Sequence, residues 1–277
     1  MPDIQAKFER FRLLHQQPEA FVIPNPWDAG SARILTALGF SALATTSAGL
    51  AFSLGRRDAA GRVSRDEVLA NARAIVTATD LPVSADLESG YSAGTHGCAE
   101  TIRLAAATGL VGGSIEDATG NPAAPIRDLQ EAVERVAAAA EAANALPFLL
   151  TARAENFLWG RPELDDTIRR LQAYSAAGAS VLYAPGLPSL EAIRTVCQSI
   201  DKPVNVVMGL KGPAFSVAEL SAAGVKRISV GGSFARAALG ALVRAAREVR
   251  ETGTFTYAAT AISHADASTF MPFEEMK

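Results

Sequence analysis

The strongest constraint on the fold is an alternation, repeated along the whole chain, of short apolar runs with longer segments whose apolar residues recur at helical spacing. The apolar runs predict strands at residues 21–24, 42–45, 82–86, 112–115, 148–152, 180–183, 204–207 and 227–230. The helical spacing predicts helices at residues 30–38, 64–79, 96–108, 127–144, 162–177, 188–199, 215–223 and 234–251. Because eight strand–helix units make a (β/α)₈ TIM barrel, we predict an α/β protein with that fold.

An open, doubly wound α/β sheet has the same alternation and is the main competing architecture. The two differ in where functional residues fall, since an open sheet needs them only near its crevice, whereas a barrel can use every strand end. Nearly every predicted strand is followed by polar, glycine or aromatic residues, which favours the barrel. Ser64 and Glu67 also have the spacing of a helix capping box.

Composition limits the kind of protein this can be. The chain has 277 residues, 49% of them hydrophobic, which suits a single barrel domain over residues 1–277 with 252–277 as a C-terminal extension. A net charge of -3 gives no attraction for nucleic acid or anionic membranes, so we expect a small-molecule partner. The N-terminus has a charged helical pattern without a signal-peptide core, and Cys98 and Cys197 lack zinc-site spacing. We therefore expect a reduced, cytoplasmic protein.

Acidic residues gather where several strands are predicted to end. They are Asp58 in LGRRDA, Asp86 and Glu88 in SADLESGY, and Glu116 and Asp117 in GSIEDA. Carboxylates that converge at one end of a barrel repel each other, and a divalent cation is the simplest stabiliser. We predict Mg²⁺, with Mn²⁺ as the substitute, held by one direct carboxylate while the others act through water. Alternatively, each acid caps a helix or pairs with Arg56, Arg57 or Arg153.

Two further segments suggest that an anion binds at the same end. TTSAGL, residues 45–50, is small and hydroxyl-rich, so its backbone N–H groups could approach a carboxylate, although such stretches are also ordinary turns. Arg153 follows the fifth strand and could clamp a carboxylate or oxyanion, or pair structurally with Glu155 or Glu116. We interpret Cys98, inside a predicted helix, as a packing residue.

Seven segments together resemble the isocitrate lyase and phosphoenolpyruvate mutase superfamily, over about residues 21–250. They are NPWDAGSA (25–32), TTSAGLAFSLGRRD (45–58), SADLESGYS (84–92), GGSIED (112–117), TARAENF (151–157), KPVNV (202–206) and SVGGSFARAA (229–238). The resemblance implies a Mg²⁺-dependent barrel that acts on 2-oxo acids through enolate-like intermediates. It also implies a homo-oligomer, a dimer or more often a tetramer of paired dimers, with an exchanged C-terminal helix.

The resemblance also assigns site residues. It implies Asp86 as the principal metal ligand, with Asp58, Glu88 and Glu116 holding metal-bound waters. Ser47, Ala48 and Gly49 would cradle the substrate carboxylate, and Arg153 would bind the reacting oxygen. We assign catalytic roles to Arg153, Glu116 and Asp58, and add Trp27, Asn205 and Gly231 as substrate-binding residues from the matching segments.

The segment after the fourth strand, ATGNPAAPIRD at residues 118–128, departs from the family patterns. It lacks the Lys-Lys/Arg-Cys-Gly motif of the isocitrate and methylisocitrate lyases and the Lys-Thr-Asn-Ser stretch of phosphoenolpyruvate mutase. Decarboxylation needs an electron sink more than a dedicated acid. We therefore predict a lyase or decarboxylase of an oxaloacetate-like 2-oxo diacid. The alternatives are phosphorus–carbon bond chemistry and a non-catalytic protein that binds 2-oxo acids.

Overall fold

The computed structural model describes residues 3–58, 61–92 and 94–271. The strands are β1 Phe21–Ile23, β2 Leu43–Ala44, β3 Val83–Asp86, β4 Gly112–Glu116, β5 Leu149–Arg153, β6 Val181–Tyr183, β7 Val204–Val207 and β8 Arg227–Ser229. The helices are α1 Ile4–Leu14, α2 Ala29–Ala37, α3 Ser47–Ser53, α4 Arg65–Thr77, α5 Thr95–Ala106, α6 Leu129–Asn144, α7 Leu164–Ala176, α8 Leu190–Ser199, α9 Val217–Ala222, α10 Ser233–Thr252 and α11 His264–Thr269. All eight predicted strands are confirmed, each within a few residues of its expected bounds.

The strands form one parallel sheet in the order β1-β8-β7-β6-β5-β4-β3-β2. Strands β1 and β2 are the two edges of this sheet, and hydrogen bonds near their ends bring them together. Ala44 N donates to Pro24 O at 3.0 Å, and Asn25 Nδ2 donates to Thr45 O at 2.9 Å. Sequential strands are therefore neighbours around a nearly closed ring with no point of reversal. The (β/α)₈ TIM barrel is confirmed, and the doubly wound alternative is wrong.

Helix α1 covers the N-terminal end of the barrel. Phe11 and Leu14 are buried in a small apolar cluster with Phe21, Ile23 and Val111 from the strands. Gly112 permits this contact, because a Cβ at that position would lie 2.9 Å from the Phe11 ring. Apolar packing thus covers much of this end of the barrel.

Side chains alternate along each strand between the outer helices and the barrel interior. The outward residues, such as Ile115, Leu150 and Val206, belong to a large apolar core shared with the helices. Several inward residues are small or polar, including Ser84, Ser114 and Thr151. A barrel interior usually holds bulky branched residues in layers. Small and polar residues at these inward positions therefore leave room for a cavity.

Three helices lie outside the eight predicted ranges: α1, α3 and α11. The capping box at Ser64 and Glu67 is confirmed at the start of α4. Helix α3 forms where residues 45–50 were interpreted as an anion-binding stretch or, alternatively, an ordinary turn. The Thr46 side chain accepts from Gly49 N and caps this short helix, whose buried Leu50 and Ala51 hold it against the core.

The C-terminal extension folds back onto the end of α10. Glu248 accepts hydrogen bonds from the backbone N–H groups of Thr256 and Tyr257 and from the hydroxyl groups of Thr254 and Thr256. A 3₁₀ turn at Thr256–Ala259 and α11 follow. Within the described ranges, no helix has both the length and the apolar character needed to cross a lipid bilayer.

Candidate active site

A cavity of about 200 Å³ opens at the C-terminal ends of the strands and extends down into the barrel. Its wall comes from the segments that follow β1, β2, β5, β7 and β8 and from the strands themselves, which include Tyr183, Asn205 and Arg227. The other described residues around it are Ile23, Asn25, Ala44, Thr45, Thr46, Ser47, Ala48, Asp58, Ser84, Ala85, Asp86, Ser114, Leu158, Arg153, Val207, Leu210, Ser229, Gly231 and Gly232. Polar and charged groups thus surround a space of small-molecule size.

Asp86, the last residue of β3, is the best-connected acid of this cavity. Its Oδ1 accepts from Arg153 Nη1 at 3.0 Å and its Oδ2 accepts from Ser47 Oγ at 2.9 Å. The Asp86 backbone N–H donates to Thr45 Oγ1 at 3.0 Å. The ends of β2, β3 and β5 are therefore joined through one carboxylate.

Arg153, the last residue of β5, bridges three carboxylates. Besides Asp86, its Nη2 lies 3.2 Å from Glu116 Oε2, and its Nε donates to Glu155 Oε1 at 2.8 Å. Its guanidinium carbon lies 5.0 Å from the centroid of the Tyr183 ring, a cation–π contact. Burial opposes the charged form, but the three carboxylates outweigh it and raise the pKa of Arg153 well above its usual value. Arg153 therefore stays charged.

The segment after β3 carries two residues in the left-handed backbone region, Glu88 with φ 45° and Tyr91 with φ 54°. Non-glycine residues pay strain for this conformation, and such strain collects at functional sites. Three carbonyls of the segment are anchored from the outer helices: Arg135 Nη2 donates to Ser89 O at 2.6 Å and to Ser92 O at 2.8 Å, and Thr101 Oγ1 donates to Gly90 O at 2.8 Å. The surrounding structure thus imposes the backbone that presents Glu88.

The surroundings of two acids of the site disfavour their charged forms. Burial raises the pKa of Glu88 to about 7, and the neighbouring charges of Asp86 and Asp58 add to this effect. Burial also raises the pKa of Glu116 well above its usual value, although Arg153 opposes the shift. Both groups would gain from a nearby positive charge.

The predicted site residues fall into three sets. Ser47, Ala48, Asp58, Asp86, Arg153, Asn205 and Gly231 line the cavity. Glu88 and Glu116 lie behind it and act on it through neighbours, since Glu88 N donates to Asp86 Oδ1 at 3.3 Å and Glu116 pairs with Arg153. Trp27 and Gly49 line a separate apolar cavity beside α10, where a Cβ on Gly49 would lie 2.8 Å from Trp27 Cβ.

Asp117 does not join the acidic group, and that expectation is wrong. Strand alternation turns it to the outside of β4, where only 3% of it is exposed. Its oxygens accept from Tyr174 Oη at 2.7 Å, Arg170 Nη1 at 3.1 Å and Glu155 N at 2.9 Å. The structural interpretation, an acid neutralised by its own arginine, applies here.

The chemistry of the cavity fits a hard divalent cation. Among the residues that the structure describes, no three His, Cys, Asp or Glu side chains are grouped closely enough to hold an ion together. The sequence, however, predicted a single direct carboxylate with other acids behind bound water, which does not require such a group. Asp86 and Ser47 offer oxygen donors of the kind Mg²⁺ prefers. Glu88 and Glu116, whose pKa values are raised mainly by burial, would ionise more readily with a cation nearby.

Sequence reasoning missed two residues that shape the cavity. Asn25 Oδ1 accepts from the backbone N–H groups of Val230 and Gly231, both at 2.9 Å, and so ties β1 to the end of β8. Arg227 is buried deep in the barrel and donates to Asn205 Oδ1 at 2.8 Å and Thr151 Oγ1 at 3.0 Å. Asn25 stands in a segment that had been singled out, but an arginine inside a strand gave no signal.

A TIM barrel with acids and an arginine around a cavity at its C-terminal rim has the features of a barrel enzyme for small anionic substrates. Comparison with known proteins makes this specific. The chain belongs to the phosphoenolpyruvate phosphomutase family, whose profile matches residues 11–250. Its relatives are lyases and mutases of the isocitrate lyase and phosphoenolpyruvate mutase superfamily.

Three similar proteins illustrate the range. A solved structure from Burkholderia cenocepacia J2315, provisionally named a lyase/mutase, is 56% identical with a TM-score of 0.93 and covers 97% of this chain and 96% of that one. The 2-methylisocitrate lyase of Escherichia coli K12 is 29% identical over 224 residues, which are 78% of this chain and 75% of that protein. The structure of a 2,3-dimethylmalate lyase is 26% identical with a TM-score of 0.84, covering 95% and 94% of the two chains.

Proposed function

We propose that the protein is a Mg²⁺-dependent carbon–carbon lyase or decarboxylase that acts on a small 2-oxo acid, of the oxaloacetate type, through an enolate. The observation that carries the proposal is the contact between Asp86 and Arg153, 3.0 Å apart at the wall of a polar cavity. A hard-cation ligand and an oxyanion-binding group then stand side by side. The family's lyases of 2-methylisocitrate and 2,3-dimethylmalate support this class of chemistry.

Asp86 would hold the cation directly, and Asp58, Glu88 and Glu116 would hold it through water. Bound Mg²⁺ supplies Lewis-acid polarisation of the 2-oxo and carboxylate oxygens of a substrate. Mn²⁺ has the same preference for oxygen donors and would substitute. The raised pKa of Glu88, about 7, means that its carboxylate is only partly ionised near neutral pH without a cation beside it.

Arg153 would stabilise the charge that develops during the reaction. As the bond beyond C3 breaks, its electron pair moves into the C2–C3 bond and the negative charge collects on the 2-oxo oxygen. In decarboxylation the carboxyl group leaves as CO₂, and a proton from water then adds to C3. A fixed guanidinium at that oxygen needs no reorganisation as the charge forms, and Glu116, Glu155 and the Tyr183 ring fix Arg153 in position.

Ser47 and Ala48 would bind the substrate carboxylate, because both line the cavity at the first turn of α3, where backbone N–H groups lack partners within the helix. Gly49 serves a different purpose in this arrangement. Its N–H donates to Thr46 Oγ1 and its missing side chain accommodates Trp27, so both residues support the carboxylate site from behind.

The segment at residues 118–128 favours decarboxylation over a reaction that needs a cysteine thiol as general acid. This segment folds as a hairpin closed by the Ala118–Ile126 bridge and by Thr119 N donating to Pro125 O at 2.9 Å. It contains no cysteine. Cys98 cannot replace one, because it is buried in α5 with its thiol 3.7 Å from Ser89 O.

The test is to incubate the protein with Mg²⁺ and, separately, oxaloacetate, phosphonopyruvate and methylisocitrate, and to follow pyruvate release. We expect turnover of an oxaloacetate-type acid that EDTA abolishes and Mg²⁺ or Mn²⁺ restores. Asp86→Ala should remove Mg²⁺-dependent ligand binding, measured by calorimetry, while the circular dichroism spectrum stays unchanged. Efficient methylisocitrate cleavage would contradict the argument from the missing cysteine, and unchanged affinity in Asp86→Ala would remove Asp86 from the metal site.

We also propose that the protein is a homo-oligomer, a dimer or tetramer, assembled through α10 and the C-terminal extension. Large apolar side chains are exposed there: Phe234, Leu239, Leu242, Val243, Phe255, Tyr257, Ile262 and Met271. A single exposed leucine is ordinary, but a concentration on one helix and its extension marks an interface. Light scattering on the full chain and on a chain ending at residue 252 would test this, and a monomeric full chain would contradict it.

A further inference from the structure

Tyr183, the last residue of β6, lines the candidate active-site cavity, and its contribution so far is to hold Arg153. Only 9% of Tyr183 is exposed. Its ring lies against the Arg153 guanidinium, and its hydroxyl group hydrogen-bonds to the side chain of Ser229, the last residue of β8. Because Ser229 also lines the cavity, the phenol hydroxyl group lies beside a second residue of the cavity wall.

The proposed reaction needs a proton donor, because C3 must gain a proton after the bond beyond it breaks. Of the described residues around the cavity, none is a histidine or a cysteine. The serine and threonine hydroxyl groups there are far weaker acids than a phenol, and Asp58 and Asp86 are assigned to the cation. The phenol of Tyr183 is the strongest acid that remains, since the ordinary pKa of a tyrosine is about 10.

Two guanidinium groups would stabilise the phenolate that remains after proton transfer. Burial raises the pKa of Tyr183, and the charge of Arg153 opposes that shift. Arg227 is buried and also attracts the phenolate, while its hydrogen-bond partners Asn205 and Thr151 are neutral. The hydroxyl group therefore keeps its proton at neutral pH, yet the charge left by its transfer faces two positive groups.

The proposed binding mode turns C3 of the substrate toward Tyr183. The carboxylate would lie at the start of α3, after β2, and the 2-oxo oxygen would lie at Arg153, after β5. C3 is on the far side of the 2-oxo carbon from the carboxylate, so it points away from β2 and toward β6 and β7, the next strands around the ring. Tyr183 is at the end of β6 and in contact with Arg153, which places the phenol on the same side as that carbon.

We propose that Tyr183 is the general acid that protonates C3 of the enolate. The inference rests on the proposed function, which supplies the enolate. The Oη–H bond of Tyr183 breaks, and a C3–H bond forms from the electron pair of the C2–C3 double bond while the carbonyl group at C2 re-forms. The phenolate then takes a proton from water, so the net proton still comes from the solvent.

The experiment follows the same proton transfer in reverse, as exchange of the methyl protons of pyruvate with D₂O. Proton NMR measures it with the full-length protein and Mg²⁺. Tyr183→Phe keeps the ring against Arg153 but removes the transferable proton, so exchange should fall about 10²-fold or more. Release of CO₂ from oxaloacetate in the first turnover should stay close to the wild-type rate, because that step needs no acid. Affinity for oxamate, an unreactive analogue of 2-oxo acids, should be unchanged in calorimetry.

Two further variants separate catalysis from packing. Tyr174→Phe is the matched control, because it removes another buried tyrosine hydroxyl group, on α7, where it donates to Asp117. It should lose stability but keep the exchange rate. Ser229→Ala leaves Tyr183 in place and removes the partner of its hydroxyl group, so exchange should fall about tenfold with oxamate affinity kept. If Tyr183→Phe fails to fold, Ser229→Ala decides, and unchanged exchange in it would overturn the proposal.

The proposed function and the role of Tyr183 fail in different ways. If the wild type releases CO₂ from oxaloacetate but Tyr183→Phe exchanges pyruvate protons at the wild-type rate, the function stands and Tyr183 is not its acid. Absence of exchange in the wild type leads to the same conclusion. If exchange and CO₂ release fall by the same factor in Tyr183→Phe, the hydroxyl group only supports Arg153, and the proposal is overturned. If the protein neither binds oxamate nor releases CO₂, the proposed function fails and this inference fails with it.

Discussion

Arg153 Nη1 lies 3.0 Å from Asp86 Oδ1, although β5 and β3, which carry them, are separated in the sheet by β4. Glu116, at the end of that intervening strand, contacts Arg153 as well. The three strand ends are therefore joined above the barrel by one guanidinium. Arg153 has two roles that compete: it balances the acids, and it occupies an oxygen of the carboxylate that would hold a cation.

Replacing Arg153 tests its role as the shared counter-charge and its proposed role as the oxyanion-binding group. Arg153→Gln leaves Asp86, Glu116 and Glu155 without their shared counter-charge, so the metal-free protein should lose about 3–5 kcal/mol of stability against urea. The kcat should fall by about 10²–10³-fold, the usual loss when one oxyanion donor is removed. Arg56→Gln, which breaks an exposed pair with Glu67, is the control and should change neither quantity measurably. Retained kcat in Arg153→Gln would exclude Arg153 as the oxyanion group.

The strained segment at residues 88–92 gives a second prediction. Arg135→Met removes two hydrogen bonds, to Ser89 O and Ser92 O, from outside the cavity. The backbone of Glu88 should then relax from its left-handed conformation, and Mg²⁺-dependent oxamate affinity should fall about tenfold or more. The protein should still unfold in one cooperative transition. Calorimetry and urea unfolding measure the two effects. Arg73→Met, on an exposed face of α4, is the control. Equal affinity in both variants would show that Arg135 only packs.

Periodicity was enough to predict the fold because each βα unit repeats the same physical pattern. Apolar strands of four to five residues must be buried on both faces, and amphipathic helices cover them. The same reasoning could not foresee α3, since residues 45–50 contain small residues that suit a turn or a helix equally. The Thr46 cap and the burial of Leu50 decide between the two, and both depend on tertiary context.

The candidate site was predictable to the extent that strand ends converge. Asp86, Arg153 and Asn205 end up around one cavity because parallel strands of a barrel end on the same rim. What the sequence could not reveal is which way neighbouring acids face. Glu116 and Asp117 are adjacent in sequence, yet one points inward and the other outward, because the position where β4 starts sets the alternation. The position of Arg227 could not be predicted either, because its partners Asn205, Thr151 and His15 come from β7, β5 and the end of α1.

His15 should make the protein sensitive to acid. It follows α1, accepts from Arg227 through Nε2 at 3.4 Å, and contacts Phe11 O through Nδ1 at 2.8 Å. Burial, with the charge of Arg227, lowers the pKa of His15 to about 3 from 6.5. The unfolded chain therefore binds a proton below pH 6.5 that the folded chain does not bind until about pH 3. Stability is complete above pH 6.5 and is lost as pH falls, by at most about 1.4 kcal/mol per pH unit.

The measurement is urea unfolding at several pH values between 7 and 4, for the wild type and for His15→Gln, which keeps a hydrogen-bond acceptor but cannot titrate. The wild type should lose stability more steeply than the variant over this range. His264→Gln, at an exposed position in α11, should follow the wild type. Parallel curves for the wild type and His15→Gln would mean that folding does not lower the pKa of His15.

Glu116 and Asp117 allow the sharpest separation of site from scaffold, because they are adjacent acids at the end of one strand. Glu116→Gln removes a carboxyl group whose pKa burial raises although Arg153 opposes the shift. Mg²⁺-dependent ligand affinity should therefore fall while stability stays equal or rises. Asp117→Asn removes the charge that Arg170 faces at 3.1 Å and weakens the bond from Tyr174 Oη. It should therefore cost about 3 kcal/mol of stability with affinity unchanged. Calorimetry measures the ligand affinity of each variant, and urea unfolding measures its stability. A loss of affinity in Asp117→Asn equal to that in Glu116→Gln would place both acids in one functional group.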